Sequence, residues 1–410
     1  MKKKLLFIES NTSGTGMLAL EKSKKLGYYP VMITNNPKRY LGLEKIDCQV
    51  IECNTNSLVE LKNCIEYKFK IDEISGIMTT SEFYIVTVAE LTKYFGLPCN
   101  SPESMKICRN KAKTRIRLEE VQVRQPKFII VNSVEDIKSE KMDIVGLPCV
   151  VKPVDDSGSN NVCLCETIEQ VKKQSKKILR EELNVREQEK EHAVLIEEYL
   201  DFPEYSVEMF TSQNKTYCIG ITEKKLIGYP YFVEYQHIFN ADLSENIKKE
   251  IELTVRKALK AVGITFGATH TEIKLTPKGC AIVEINARLA GGMIPQLIKY
   301  VTGIDMLQNQ IKIAVGQVPE LNIVYTGYSG IQFLTANEEG IFKGVNGIEE
   351  VKEMDGTKEV KITYLVDKPI KRPKNAYHRL GYFIVTAKTY EQTQLRLENV
   401  KNRLRIIVSN

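Results

Sequence analysis

Residues 266–296 read FGATHTEIKLTPKGCAIVEINARLAGGMIPQ. The first half alternates, with Thr269, Thr271, Ile273 and Leu275 on one side of an extended chain and His270, Glu272 and Lys274 on the other. That is the period of a β-strand. Pro277-Lys278-Gly279 has turn chemistry, and 281–286 reads as the returning strand. Glu284, Asn286 and Arg288 then share one face at period 2, and Glu272 meets them across the hairpin. Two carboxylates and an amide oxygen form a hard, oxygen-only donor set that suits Mg²⁺ rather than zinc. Arg288 adds a planar cation that fits a phosphate or a developing oxyanion. A merely solvated strand face would carry more Lys and Ser than this one, which concentrates Glu, Glu, Asn and Arg.

The chain has 410 residues, enough for two or three domains. Its 43% hydrophobic and 27% charged content is ordinary for a globular protein. The net charge of +6 comes from 58 basic and 52 acidic residues with the two signs interspersed, so the composition gives no argument for nucleic acid. MKKKLLFIES has too few apolar residues for a signal peptide and reads as a first strand. No stretch approaches the roughly 20 apolar residues of a membrane span. The ten cysteines form no CxxC pair, and the expectation is a cytoplasmic chain with reduced thiols and no membrane partner.

From the N-terminus, a strand at 4–8, the run Asn11-Thr-Ser-Gly-Thr-Gly16, a helix to Gly27 and a strand at 30–34 set Gly14-x-Gly16-x-x-Ala19 where a dinucleotide fingerprint would stand. The acidic ribose ligand expected after the second strand is missing, since Thr34, Asn35 and Asn36 occupy its place. The reading is a degenerate Rossmann-like domain over 1–100. Ser101-Pro102 opens a helix that leads to Lys111. Lys152 closes an apolar strand and needs an anionic partner. The loop after it, with Ser157, Gly158 and Ser159, has the backbone N–H density of a phosphate-covering flap. The charged run 166–191 reads as solvated helix and mobile chain without function. A strand at 194–200 leads to Glu204. Glu234-x-x-His237 precedes a helix at 244–262, and Asp305 caps another that closes at Gly316. Beyond about 320, short strands and a helix at 390–404 read as a small α+β domain, with His378-Arg379 structural.

The string His270-Thr-Glu272…Glu284-Ile-Asn286-Ala-Arg288-Leu-Ala-Gly-Gly resembles the closing signature of the ATP-grasp superfamily, and more closely that of the L-amino-acid ligases within it. The resemblance implies an α/β chain in three parts: a Rossmann-like domain (1–100), an ATP-grasp domain (101–316) and a small C-terminal domain (317–410). It implies ATP and Mg²⁺, as two ions, as cofactors. Lys111 and Lys152 would hold phosphates and Ser157, Gly158 and Ser159 would cover them. Glu197 would accept the adenine amino group, with Glu198, Tyr199 and the Leu200 backbone as the hinge and Glu204 on the ribose. Glu272, Glu284 and Asn286 would hold metal. Glu234, His237, Arg288, Gly291 and Gly292 would line the amino-acid pocket, and Arg288 and His237 would act in the chemistry. The sequence departs from the pattern at Asn110, where Asp is usual, at Asn160 and Asn161, where glycines are usual, and at Pro203, where Gly is usual.

The activity so implied joins a carboxylate to an amine through an acyl phosphate, releasing ADP and phosphate, with small amino acids as partners and a homodimer allowed. The alternatives are a carboxyphosphate-using enzyme of the purine or biotin carboxylase type, a ligase acting on a carrier protein or biosynthetic intermediate, and a nucleotide-sensing or NAD-binding module.

Overall fold

The computed structural model describes residues 3–12 and 15–409, so Gly14 of the glycine fingerprint lies outside the described residues. Strands β1 (Lys4–Ile8), β2 (Tyr29–Thr34), β3 (Gln49–Glu52) and β4 (Ile74–Met78) pair in parallel in the order β3-β2-β1-β4. Leu5, Leu6, Phe7 and Ile8 are fully buried, as a parallel strand covered on both faces requires. Gly16, the second residue of the first helix (Thr15–Lys25), packs against the chain leaving β1: a Cβ there would lie 1.8 Å from the Asn11 carbonyl oxygen.

The strands β5 (Phe128–Val131), β6 (Cys149–Pro153), β7 (Cys163–Cys165) and β8 (Val194–Glu198) make a second, antiparallel sheet in the order β5-β8-β6-β7. A helix at Ile168–Leu179, started by a Thr167/Gln170 capping box, packs on it through Val171 and Ile178.

The third sheet is the largest. It takes β9 (Glu204–Ser212), β10 (Lys215–Ile227), β11 (Val233–Phe239), β12 (Gly267–Thr276), β13 (Gly279–Asn286) and β14 (Tyr328–Thr335). After β15 (Gly340–Asn346) it adds β16 (Thr357–Ile362) and, beyond β17 (Pro369–Ile370), β18 (Arg379–Ala387), giving the order β13-β12-β9-β10-β11-β14-β18-β16. The sheet therefore runs across residue 316 without interruption. β15, β17 and β19 (Arg405–Ser409) form a small sheet of their own. The helix Glu245–Ala261 buries Ile251, Val255, Ala258 and Leu259. Helices Ile294–Thr302 and Met306–Ala314 sit between the first and third sheets, in one core that joins Leu5, Phe7 and Met32 to Leu297, Ile311 and Ile331. No helix among the described residues is long and apolar enough to cross a membrane.

The charged run 166–191 departs from the solvated reading in one place. Its end is a tight turn closed by a Leu183–Glu189 bridge, and Arg186 at the tip is 6% exposed. The turn is pinned from the first domain, where the Asn56 amide donates to the Arg186 carbonyl at 3.0 Å, and Gln188 donates to the Phe83 carbonyl at 3.1 Å. The Arg186 guanidinium enters the carboxyl end of the parallel sheet, donating to Ser10 O at 2.9 Å and standing 4.0 Å from Glu9. Glu9 is fully buried and satisfied by Thr34 (2.9 Å), Thr55 (2.8 Å), the Asn35 N–H (2.7 Å) and the Tyr40 hydroxyl. Periodicity cannot reveal this, because the partner of Arg186 is about 176 residues away.

Removing the guanidinium leaves the Ser10 carbonyl without that donor and Glu9 short of one cation. Arg186→Ala should lower unfolding stability by about 1.5–3 kcal/mol, the usual range for a hydrogen bond to a charged group. Chemical denaturation with an unchanged m-value checks this, and a shift below about 0.5 kcal/mol would show the docked turn to be idle.

Candidate active site

The β12–β13 hairpin sets the register of the site. His270 lies opposite Asn286 and Glu272 opposite Glu284, with a bulge immediately after Glu272. Directly opposed residues of an antiparallel pair share a face, so Glu272, Glu284 and Asn286 stand together, the bulge setting Glu284 rather than Val283 opposite Glu272. Arg288 does not continue that face. β13 ends at Asn286, and Arg288 turns its guanidinium to Glu82, a buried residue just beyond β4. Its Nε–Glu82 contact is a close ion pair rather than an aligned hydrogen bond, since the same Glu82 oxygen has no hydrogen-bond donor. Arg288 also donates to Leu289 O (2.9 Å) and Asn286 Oδ1 (3.3 Å).

The residues expected on the nucleotide side come from three elements. Lys111, the first residue of a helix capped by Asn110, donates to Asp156 O at 2.7 Å and lies 3.3 Å from Glu284. It thus ties the flap to the hairpin. Asn110, where the family pattern has Asp, keeps the capping role by accepting from Lys113 N at 3.0 Å. Lys152 on β6 meets Glu197 on β8 at 2.7 Å, and Arg115 takes the other Glu197 oxygen at 2.6 Å. All three are 5% exposed or less. The partner required for Lys152 is therefore supplied by the protein. Burial pushes Glu197 up, but Arg115 and Lys152 outweigh it and hold the carboxyl below its usual range. With both oxygens facing cations, Glu197 organises Lys152 and Arg115; Arg115 was visible in the sequence only as part of a basic helix.

Glu198 accepts from Lys127 N at 3.2 Å. Tyr199 donates to Asp201 at 3.0 Å and packs near Phe232, and the Leu200 carbonyl accepts from Phe202 N at 3.0 Å. Glu204 opens β9 between Lys224 and Lys274, each at 3.1 Å. In the flap, Asp156 accepts from Ser157 N (2.9 Å) and Asn160 (2.8 Å). Ser159 and Asn161 take the left-handed conformation that an all-glycine loop would adopt freely. Gly158, also at positive φ, abuts Tyr377, whose hydroxyl would be 3.4 Å from a Cβ there.

On the opposite side, Glu234 on β11 meets Lys224 at 2.8 Å and Arg379 at 2.9 Å. Arg379 lies over the Phe333 ring at 3.7 Å. His237 is fully buried, 3.8 Å from Glu234, edge-on to Phe333, and neither ring nitrogen has a hydrogen-bond partner. Burial drives its pKa down to about 3 against the pull of Glu234. It is thus a neutral imidazole at physiological pH and a weak base. Gly292 packs on it, with a Cβ at that position 2.9 Å from His237 Nε2, while Gly291 is exposed and open.

Lys224 was not singled out in the sequence, where it is one of two adjacent lysines on a strand. Its ammonium touches Glu272 (2.6 Å), Glu234 (2.8 Å) and Glu204 (3.1 Å). Burial pushes it down, but the three carboxylates outweigh burial and hold it well above the usual lysine range. His270 bridges Glu208 at 2.8 Å and Glu272 at 3.4 Å. Burial opposes its charge, yet those carboxylates raise its pKa to about 9.

Among the described residues, no three His, Cys, Asp or Glu side chains are gathered to hold a metal by themselves. The cross-strand pair Glu272–Glu284 with Asn286 instead fits Mg²⁺ carried in on phosphates, because that ion is usually bound by one or two carboxylates plus substrate oxygens.

A model of the ATP-grasp domain matches residues 145–296, and one of the L-amino acid ligase C-terminal domain 2 matches residues 332–409. The chain thus carries an ATP-grasp domain over 145–296 and is similar to the L-amino-acid ligases. It is 28% identical over 387 residues to an uncharacterised protein of Sinorhizobium fredii, spanning 94% of this chain and 79% of that one. It is 25% identical to an L-arginine-specific L-amino acid ligase of Bacillus subtilis over 76% of this chain and 75% of that one. Among solved structures, an L-amino acid ligase from Bacillus licheniformis superposes with a TM-score of 0.84 at 21% identity over the whole of both chains. The ATP-grasp match supports ATP as the nucleotide used.

The raised pKa of His270 has a stability consequence. Folded His270 holds its proton more tightly than the unfolded residue near 6.5. Its stabilising contribution is therefore complete below about pH 6.5 and is lost as pH rises through about 9. Denaturation midpoints of wild type and His270→Gln should differ most at low pH and converge toward pH 9. A difference independent of pH would rule out the imidazolium.

Proposed function

We propose that this chain is an ATP-dependent carboxylate–amine ligase that forms an amide or peptide bond from an amino acid. One carboxylate takes the γ-phosphoryl group to give an acyl phosphate and ADP, and an amine then displaces phosphate. The observation that carries this reading is the Glu272–Glu284 pair with Asn286 beside it and Arg288 just beyond, on a chain matched by both the ATP-grasp and the L-amino acid ligase models.

In this reading Glu272, Glu284 and Asn286 hold Mg²⁺, as two ions, whose charge offsets the crowding of phosphate and carboxylate. Lys111 and Lys152 hold phosphates, Ser157, Gly158 and Ser159 cover them, and residues 197–200 with Glu204 receive adenine and ribose. Glu197 acts through the two cations it holds as well as at the adenine. Arg288, Gly291, Gly292, Glu234 and His237 line the amino-acid side. His237, neutral and poorly basic, serves there by shape and hydrogen bonding, which leaves the released phosphate to take the amine proton. The division into 1–100, 101–316 and 317–410 is kept as a functional one, with strands of the last part completing the sheet of the second.

Phosphate release measured over pairs of amino acids, with and without bicarbonate, tests the reaction class. Amine- and carboxylate-dependent release supports the ligase, whereas bicarbonate dependence would put a carboxyphosphate enzyme in its place. Arg288→Met should bind ATP within several-fold of wild type yet lose about 100- to 1,000-fold in amino-acid-dependent turnover, the usual worth of a donor aimed at developing charge. Arg288→Lys should recover only part, because an ammonium lacks the planar fork. Wild-type turnover in both variants would remove Arg288 from the chemistry.

A further inference from the structure

Lys224 stands out on the polar face of the third sheet. Its side chain is 1% exposed, and its ammonium contacts carboxylates from β9, β11 and β12. β11 and β12 are separated by β9 and β10. Their backbones therefore lie about 14 Å apart at the ordinary strand spacing, yet Glu234 and Glu272 touch the same nitrogen. Three carboxylates brought this close would repel one another without a cation between them.

Charge neutralisation alone does not explain the arrangement. Each carboxylate has a second cation of its own: Lys274 for Glu204 (3.1 Å), Arg379 for Glu234 (2.9 Å) and His270 for Glu272 (3.4 Å). What Lys224 alone provides is convergence, because it is the cation these three acids share. It also contacts the Glu272 oxygen Oε1, on the carboxylate assigned above to the metal. A divalent ion at Glu272 and the Lys224 ammonium then draw on the same carboxylate charge, so the ion weakens the hold of the ammonium there.

We propose that Lys224 is a positioning residue for the ligase reaction: it gathers the carboxylates of the ribose, amino-acid and metal subsites, and it yields Glu272 to the divalent cation as that cation binds. The inference rests on the metal reading of Glu272 given under the proposed function. On metal arrival the ammonium stays with Glu234 and Glu204, so metal loading is transmitted to the amino-acid wall without a change of backbone.

The test is Mn²⁺ binding to the full-length protein with saturating ADP, followed by electron paramagnetic resonance and set beside phosphate release, for wild type, Lys224→Met and Lys224→Arg. Methionine keeps the length of the stem and leaves each acid its own cation. Lys224→Met should bind Mn²⁺ at least about fivefold more tightly, the lower end of site-to-site coupling. Its turnover should fall about 100-fold, as expected of misplaced reacting groups. Lys224→Arg should return Mn²⁺ affinity toward wild type. A residue needed only for folding would weaken Mn²⁺ binding and turnover together, and that result, or unchanged Mn²⁺ affinity in Lys224→Met, overturns the proposal. If Lys224→Met does not fold, Lys224→Gln carries the same expectation. Wild type without saturable Mn²⁺ in the presence of ADP would remove the metal reading itself, and the inference with it.

Discussion

Buried charge that must be compensated governs this molecule. The face formed by β9 to β13 and the neighbouring strand β8 hold Glu204, Glu208, Glu234, Glu272, Glu284 and, on β8, Glu197 against Arg115, Lys152, Lys224, Lys274, Arg379, His270 and Lys111. An isolated ion in such surroundings costs several kcal/mol, and only close pairing with further hydrogen bonds offsets it. Each cation therefore has to arrive from the correct strand in the correct register. This requirement makes the antiparallel order of the sheet and the bulge after Glu272 part of the chemistry. The same pairing fixes these donors and acceptors in place, the preorganisation that the proposed phosphoryl transfer needs.

The N-terminal sheet contributes through its carboxyl ends, where open parallel sheets ordinarily receive ligands. Here that rim is engaged by the rest of the chain. Glu9 and Ser10 after β1 take Arg186 from the second sheet's turn, and Glu82 after β4 takes Arg288 from just beyond the β12–β13 hairpin. The rim thus links the second sheet to the chain that leaves the β12–β13 hairpin. That use agrees with the missing acidic residue after β2, where Thr34 instead donates to Glu9 at 2.9 Å.

What could be read in advance followed short-range periodicity. The alternation of 269–275 and of 281–286, the turn between them and the isolated lysine ending β6 are local signals that give the hairpin, whereas the bulge that sets Glu284 rather than Val283 opposite Glu272 left no mark in the pattern. The helix after Asp305 announced itself by its cap, with Asp305 accepting from Gln308 N at 3.0 Å. Residues whose meaning lies in distant partners were silent. Arg115 looks like one more basic residue on a helix until Glu197 is seen 82 positions on. Lys224 is indistinguishable from Lys225 until strand pairing turns it inward. Glu82 and Arg186 lie in segments with no motif. Arg288 was assigned to a strand face by counting in twos, but β13 stops before it and the counting rule stops with it.

The central claim is that a carboxylate of one substrate attacks the γ-phosphoryl group of ATP. Its most direct test is the fate of oxygen. An amino acid carrying ¹⁸O in its carboxylate is turned over with ATP and an amine substrate, and the released phosphate is analysed by mass spectrometry or by ³¹P isotope shift. The account predicts ADP as the nucleotide product and one ¹⁸O in each phosphate formed. Unlabelled phosphate, or AMP with pyrophosphate, would contradict it.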